Sequence, residues 1–216
     1  MSKYVNVFLA GDSTMQTYKS DDPQAGWGQF IEKYFSEDIK FFNHAIGGRS
    51  SKTFVKEDRL NNLLQLLNEN DYLLLQMGHN DATPSRPERY TEPFTTYKEY
   101  LKMYIDGAKQ RQAIPILITP VGRLHYKDGQ FVNDFQDYCM AMKEVALEES
   151  IQLIDLMAMS LDYYSTIGYD HALELFMISV KGEDITHFTK KGADHVAKLV
   201  SKGMKELDNR LSTFVK

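Results

Sequence analysis

The sequence predicts an α/β fold in which a five-stranded parallel sheet is covered by helices on both faces. Short apolar runs alternate along the whole chain with segments whose apolar residues recur at helical spacing, which is typical of strand–helix–strand units. Such sheets are buried on both faces, so their strands are apolar throughout. The predicted strands are residues 5–10, 39–43, 72–77, 114–119 and 151–156.

Amphipathic helices are predicted between these strands. The residues Trp27, Phe30, Ile31, Tyr34 and Phe35 follow the i, i+3, i+4, i+7, i+8 pattern. This spacing favours a core position for Trp27 over a sugar-stacking platform. The same kind of pattern predicts helices over residues 60–67, 94–108, 135–146 and 189–207.

Length and composition indicate one globular domain over residues 1–216, with 43% hydrophobic and 25% charged residues. The net charge of −5 favours neither nucleic acid nor a membrane surface as a partner. No apolar run approaches the roughly 18 residues of a membrane span. The pattern leaves the oligomeric state open.

Cys139 is the single cysteine, which excludes an internal disulfide and a metal–thiolate site. The first residues also lack the pattern of a signal peptide. We therefore expect a cytoplasmic location, or secretion if a leader was removed before Met1.

Polar, glycine-containing turns follow the first three predicted strands. They are Gly-Asp-Ser-Thr at 11–14, His-Ala-Ile-Gly-Gly-Arg-Ser at 44–50 and Gly-His-Asn-Asp at 78–81. A fourth polar segment at 182–188 precedes the last predicted helix. Because the carboxyl ends of parallel strands meet at one edge, where such sheets bind ligands, we expect the turns to form one site.

Together these turns contain the parts of an acyl-transfer site. Ser13 needs a base to become a nucleophile, and His187 suits that role. Asp184, three residues earlier, is placed to orient the imidazole. The amide groups of Ser13 and Gly48 and the side chain of Asn80 are candidate oxyanion donors.

Each of these residues also has an ordinary structural interpretation. Ser13 could cap a helix, Asn80 and Gly48 could be turn residues, and His187 could lie on the surface. We favour the catalytic interpretation because, if each residue had only a structural role, all of these residues would have to fall at one sheet edge, in this order, by chance.

The stretches at 11–13, 48, 78–81 and 184–187 resemble the four motif blocks of the SGNH (GDSL-type) hydrolases. Thr14, the Gly-Trp-Gly turn at 26–28 and Thr-His-Phe-Thr at 186–189 look most like the rhamnogalacturonan acetylesterases. The resemblance implies a flavodoxin-like, three-layer α/β/α fold. It implies no metal and no organic cofactor.

For the site, the resemblance implies Ser13 as nucleophile, His187 as base and Asp184 as its orienting carboxylate. It places the oxyanion hole at Ser13, Gly48 and Asn80. The chain departs from the fungal members, which are secreted and often disulfide-bonded.

Substrate-binding candidates are Arg49, His79 and Arg123. Arg49 could instead pair with a carboxylate, and His79 could support the neighbouring asparagine or lie in the core. The segments 81–95 and 121–133 follow strand ends and combine arginine with aromatic residues, a mixture suited to a partly anionic sugar. Both could equally be ordinary ordered loops.

We therefore expect a carbohydrate esterase that removes O-acetyl groups from saccharides derived from plant cell-wall pectin, with an acetylated oligosaccharide as substrate. One alternative is an SGNH lipid esterase or thioesterase. The other is a non-catalytic sugar-binding module on the same fold.

Overall fold

The computed structural model describes residues 4–216 and is built around a five-stranded parallel sheet, as the sequence predicts. Two further pairs of two-residue strands lie outside this sheet. In chain order the strands are β1 Val5–Gly11, β2 Gln24–Ala25, β3 Ile39–Asn43, β4 Tyr72–Gln76, β5 Ile114–Ile118, β6 Tyr126–Lys127, β7 Gln130–Phe131, β8 Gln152–Ile154 and β9 Phe188–Thr189.

The central sheet has the order β3-β1-β4-β5-β8, which is the flavodoxin-like order. Val7 of β1 pairs with Phe41 of β3 on one side and with Tyr72 of β4 on the other. The chain therefore changes direction across the sheet at β1. The crevice beyond the carboxyl ends of β1 and β4 is where such a fold places its ligand site.

Helices cover both faces of the sheet. They are α1 Ser51–Lys56, α2 Arg59–Leu64, α3 Lys98–Gln110, α4 Gln136–Glu148, α5 Leu156–Ile167, α6 Tyr169–Leu173, α7 Ile178–Lys181 and α8 Lys190–Lys205. Alternate side chains of β1 point to opposite faces. Phe8 and Ala10 belong to the apolar cluster that includes α1–α4, whereas Val7 and Leu9 belong to the cluster that includes α5 and α8.

The helix predicted from the spacing of Trp27 onward is wrong in type. The segment forms two short 3₁₀ turns, Trp27–Gln29 and Ile31–Tyr34. Its start is tied to the sheet because the Trp27 N–H donates to Thr14 O at 2.9 Å and Nε1 donates to Gln76 Oε1 at 2.7 Å. Trp27 is fully buried, so its predicted core position is confirmed.

The second predicted helix, at 60–67, corresponds to α2, which spans Arg59–Leu64 and therefore ends three residues early. The chain forms α1 and α2 in succession, separated by Asp58 in a left-handed conformation (φ 61°). Ser50 caps α1 by accepting the Thr53 N–H. None of the helices in the described part of the chain is long and apolar enough to cross a bilayer.

Candidate active site

Ser13, His187 and Asp184 lie in one hydrogen-bonded line at the crevice. His187 Nε2 is 2.9 Å from Ser13 Oγ, and His187 Nδ1 is 2.8 Å from Asp184 Oδ2. Ser13 follows β1, whereas the other two residues precede β9, so folding brings together groups 174 residues apart. The arrangement expected from the sequence is therefore present in the structure.

A local turn explains the spacing of three residues between Asp184 and His187. Asp184 Oδ1 accepts the backbone N–H of Thr186 at 3.0 Å and that of His187 at 2.9 Å, which leaves Oδ2 for the imidazole. The following strand β9 pairs with β2, and Phe188 is fully buried. The histidine is thus held by backbone on both sides.

The electrostatics of this line favour an ionised carboxylate. Partial burial by itself raises the pKa of Asp184. The hydrogen bonds from the His187 and Thr186 N–H groups and the His187 ring lower this pKa by more, so the net shift is downward. An ionised Asp184 fixes the proton of His187 on Nδ1. Nε2 then presents a lone pair to the Ser13 hydroxyl.

Three N–H groups beside Ser13 are free to receive an oxyanion. The backbone N–H groups of Ser13 and Gly48 donate to no other group within residues 4–216. Asn80 Nδ2 donates one N–H to Arg49 O at 3.0 Å and has a second to offer. Gly48 has φ +77°, a conformation that other residues rarely adopt.

Asp81 ties the Gly48 segment to the end of β4. It is fully buried and accepts the Ser51 N–H at 3.0 Å, the Ser51 hydroxyl at 2.5 Å and the Thr91 hydroxyl at 3.0 Å. Burial raises the pKa of Asp81 to about 6, although these donors act in the opposite direction. The start of α1 and the residues before it are thereby held next to Asn80.

A second histidine–aspartate pair lies under the Ser13 turn. His79 Nδ1 is 3.1 Å from Asp12 Oδ2, and His79 Nε2 is 2.9 Å from Val121 O. Both ring nitrogens therefore face oxygen acceptors. The pair is buried, with His79 4% exposed and Asp12 not at all.

Further hydrogen bonds connect this buried pair to Trp27. Asp12 Oδ1 accepts the N–H and hydroxyl of Thr14 at 2.9 and 2.8 Å. Thr14 Oγ1 in turn accepts from Gln76 Nε2 at 2.7 Å, and Gln76 Oε1 accepts from Trp27. Each of these side chains is paired with the next, which fixes the turn that carries Ser13.

The three predicted substrate-binding residues occupy different places. Arg49 donates to Glu57 Oε2 and to Gly47 O, both at 3.0 Å, so its side chain is engaged within the protein. His79 is buried in the pair described above and also lines the cavity at Ser13. Arg123 lines the same cavity. Substrate contacts by all three remain predictions.

The cavity at Ser13 has a volume of about 460 Å³. Besides the residues already named, its wall contains Gln16, Tyr18, Thr83, Arg89 and Thr186. Within residues 4–216 no group of three His, Cys, Asp or Glu side chains is arranged to hold a metal ion.

Gln16 and Tyr18 are cavity residues that the sequence analysis missed. Gln16 Oε1 accepts the Gly47 N–H, and the Tyr18 hydroxyl donates to Ser13 O at 2.9 Å. Burial raises the pKa of Tyr18 to about 12, so the phenol keeps its proton. Their position just after the Ser13 turn was the available signal, but nothing in the pattern shows that the chain folds back there.

The sequence model of the GDSL-like lipase/acylhydrolase family matches residues 7–200. The chain belongs to this family. Its members are ester hydrolases, and this chain is a serine esterase by fold and family. The probable rhamnogalacturonan acetylesterase YesY of Bacillus subtilis (strain 168) is 57% identical over 202 residues, covering 94% of this chain and 93% of that protein. Rhamnogalacturonan acetylesterase RhgT of the same organism is 38% identical over 218 residues, covering 96% and 92%.

Solved structures have the same fold. The crystal structure of protein YXIM from Bacillus subtilis superimposes with a TM-score of 0.84 at 30% identity, and covers 94% of this chain. The match spans 56% of that longer chain. The acetylxylan esterase Axe2 from Geobacillus stearothermophilus has a TM-score of 0.68 at 15% identity, covering 94% of this chain and 96% of its own, which is a likeness of fold alone.

Proposed function

We propose that this esterase removes O-acetyl groups from carbohydrate, with Ser13 as nucleophile, His187 as general base and Asp184 as the carboxylate that orients it. The observation that carries the proposal is the continuous line from Ser13 Oγ through His187 to Asp184, at 2.9 and 2.8 Å. Both distances are within the range of a direct hydrogen bond. A general base must lie within this reach of the proton that it abstracts.

The reaction proceeds in two halves. His187 Nε2 takes the hydroxyl proton while Ser13 Oγ attacks the acetyl carbonyl carbon, and the resulting oxyanion accepts from Ser13 N, Gly48 N and Asn80 Nδ2. The C–O bond to the sugar then breaks, and His187 returns the proton to the leaving sugar oxygen. This leaves the acetyl group on Ser13.

Water completes the second half. His187 takes a proton from the water as its oxygen attacks the acetyl-serine carbonyl, and the same three donors receive the second oxyanion. Collapse releases acetate, and the proton on His187 returns to Ser13 Oγ. Each oxyanion donor contributes about 2.7–4 kcal/mol to lowering the barrier.

Replacement of Ser13 tests the nucleophile. We expect Ser13→Ala to lower kcat for acetate release by about 10⁶-fold, because no other group in the site can form the acyl intermediate. Ser20→Ala is the matched control, since Ser20 is exposed and its one hydrogen bond within residues 4–216 is from Lys190 Nζ to its backbone oxygen. Acetate release by Ser13→Ala at the rate of the unmodified enzyme would remove Ser13 as nucleophile.

The substrate that we propose is a plant cell-wall saccharide of the pectin rhamnogalacturonan type. Support comes from the names of the relatives that are 57% and 38% identical over nearly the whole chain. Acetate release should be compared on acetylated rhamnogalacturonan, acetylated xylan and small acetyl esters. We expect the highest kcat/KM on rhamnogalacturonan, and a higher value on xylan would overturn this assignment.

A comparison of acyl-chain lengths, added to this panel, separates the two alternatives. A lipid esterase or thioesterase should prefer long acyl chains, whereas the cavity wall here carries Gln16, Tyr18, Arg89 and Arg123. We therefore expect p-nitrophenyl acetate to be hydrolysed faster than the octanoyl ester. A non-catalytic sugar-binding module would bind acetylated saccharide and release acetate from none of these esters.

A cytoplasmic site of action is also part of the proposal. Its support is the single cysteine, Cys139, which is buried and unpaired and therefore fits a reducing compartment. An enzyme in the cytoplasm meets imported oligosaccharides, so we expect acetylated oligosaccharides to be better substrates than the intact polymer. Fractionation of cells with an antibody against the protein tests the location directly.

A further inference from the structure

Two arginines share the cavity with Ser13 and His187. Arg89 lies in the segment that follows β4, and Arg123 lies in the segment that follows β5. Both side chains are partly buried. The segments that follow the neighbouring strands β4 and β5 thus place two positive charges at the same cavity wall.

Neither guanidinium has all of its hydrogen bonds satisfied within residues 4–216. The Nε atoms of Arg89 and Arg123 are buried and have no hydrogen-bond partner in the described part of the chain. Neither side chain forms an ion pair with a carboxylate of residues 4–216. Burying a charged donor without an acceptor is costly.

Three of the other five arginines within residues 4–216 donate hydrogen bonds to acceptors, and the remaining two, Arg86 and Arg210, are exposed to solvent. Arg49 and Arg59 both donate to Glu57, and Arg111 donates to two backbone oxygens. Within residues 4–216, buried guanidinium nitrogens without a partner are therefore found only at the cavity wall.

The two cavity arginines are also held in place. The guanidinium of Arg123 lies over the Phe135 ring, 4.7 Å from its centroid, and Arg89 Nη2 is 3.5 Å from Thr83 Oγ1. Burial lowers the pKa of Arg123, and the positive charge of Arg89 acts in the same direction, against the opposing effect of nearby carboxylates. An anion between the two would relieve this repulsion.

We propose that Arg89 and Arg123 bind the carboxylate of an acidic sugar in the substrate and thereby select acetylated uronic acids over neutral acetylated sugars. The inference rests on the proposed esterase function, because it concerns the same cavity. A guanidinium presents parallel N–H groups that match the two oxygens of a carboxylate. The oxyanion donors are complete without the arginines, so the pair is available for a second group of the substrate.

Matched substrates test the selection. Hydrolysis of an acetylated methyl galacturonoside should be compared with that of the equivalent acetylated methyl galactoside, which replaces the carboxylate by a neutral CH₂OH group. We expect a uronate-to-neutral ratio of kcat/KM well above one, and we expect Arg123→Gln and Arg89→Gln each to lower that ratio about tenfold, as for a lost hydrogen bond to a charged group.

Arg86→Gln is the matched control. Arg86 lies in the same segment as Arg89, its side chain is 67% exposed, and its nearest carboxylate is Glu88 at 3.9 Å. The ratio should stay at the wild-type value in this variant. A wild-type ratio of one, or a ratio unchanged by Arg89→Gln and Arg123→Gln, would overturn the proposal.

A binding measurement distinguishes failure of this inference from failure of the esterase function. Calorimetric titration of Ser13→Ala with methyl galacturonoside requires no catalysis, and binding should weaken about tenfold when Arg123→Gln is added. Titration with acetate tests whether the two arginines bind the carboxylate of the substrate or the acetate that the reaction releases. If acetate binds as tightly as the galacturonoside and is equally affected by Arg123→Gln, the pair serves the product and the proposal is wrong.

Discussion

Two histidine–aspartate pairs flank the turn that carries Ser13, and they differ in what the second ring nitrogen faces. In the pair of His187 and Asp184, Nε2 faces the Ser13 hydroxyl at 2.9 Å. In the pair of His79 and Asp12, Nε2 faces the carbonyl oxygen of Val121 at 2.9 Å. A hydroxyl can give its proton to the ring, whereas a carbonyl can only accept one.

This difference assigns the two rings opposite roles. His187 needs a lone pair on Nε2 to act as a base, and Asp184 provides for it by holding the proton on Nδ1. His79 must instead donate through Nε2 to the Val121 carbonyl, while its Nδ1 faces the carboxylate of Asp12. The chemistry of the pair is the same in both cases, and the partner of the second nitrogen decides whether the ring can catalyse.

Among changes to the two pairs, the largest effect is expected when the carboxylate of the partly buried pair, Asp184, becomes an amide. In Asp184→Asn an amide N–H faces His187 Nδ1, which favours the tautomer that carries its proton on Nε2. That ring cannot take the Ser13 proton, so kcat for acetate release should fall by about 10⁴-fold. Initial rates of p-nitrophenyl acetate hydrolysis measure this change in kcat, and urea unfolding checks that the variant is folded. A variant that keeps more than a tenth of the activity would contradict the assignment of Asp184.

The same substitution at the buried pair should be tolerated. In Asp12→Asn an amide N–H again faces the histidine, but the tautomer that it favours donates from Nε2 to Val121 O, as the structure requires. Asp12→Ala, in contrast, leaves His79 and Thr14 without their buried acceptor.

We expect Asp12→Ala to lower the free energy of unfolding by about 3–5 kcal/mol, the usual cost of removing one member of a buried pair. Asp12→Asn should lose about 1 kcal/mol, a typical net value for a neutral hydrogen bond. Urea unfolding of the three proteins at neutral pH measures both values. Equal losses of unfolding free energy in the two variants would show that the hydrogen-bond pattern of His79 does not affect stability. The proposed difference between the two pairs would then be wrong.

Of these two pairs, the sequence predicts the first and leaves the role of the second open. Asp184 and His187 stand out because they are three residues apart and precede a helix, opposite a Gly-Asp-Ser turn. For His79 the sequence allows a substrate contact, a support for Asn80 or a core position. The choice depends on Val121, a residue of another strand end, and no local pattern shows that contact.

The fold shows the same division between local and long-range information. The five strands of the sheet follow from apolar runs, which predict them to within a few residues. The segment 27–35 has a helical pattern but forms 3₁₀ turns, because contacts of Trp27 with Thr14 and Gln76 fix its start. The convergence of Arg89 and Arg123 likewise depends on two separate segments meeting, which periodicity does not encode.

The smallest expected effect concerns acid, and it tests the charge on the buried pair. Burial alone would raise the pKa of Asp12, but the charge of His79 and the hydrogen bonds from His79 and Thr14 lower it below its ordinary value. A carboxylate with a lowered pKa in the folded state contributes stability above its unfolded pKa of about 3.9, and this contribution is lost as pH falls through the folded value. The amide introduced by Asp12→Asn does not titrate, so that variant lacks this contribution at every pH.

The free energies of unfolding of the wild type and Asp12→Asn should therefore differ by about 1 kcal/mol at pH 6. The part of this difference that the ionised Asp12 contributes should be lost as the pH falls below about 4. The other carboxylates with shifted pKa values, among them Asp81 and Asp184, are present in both proteins, so their effects largely cancel in the difference. Urea unfolding in steps between pH 3 and pH 7 measures the convergence. A difference that stays constant or widens on acidification would contradict an ionised Asp12 in the folded protein.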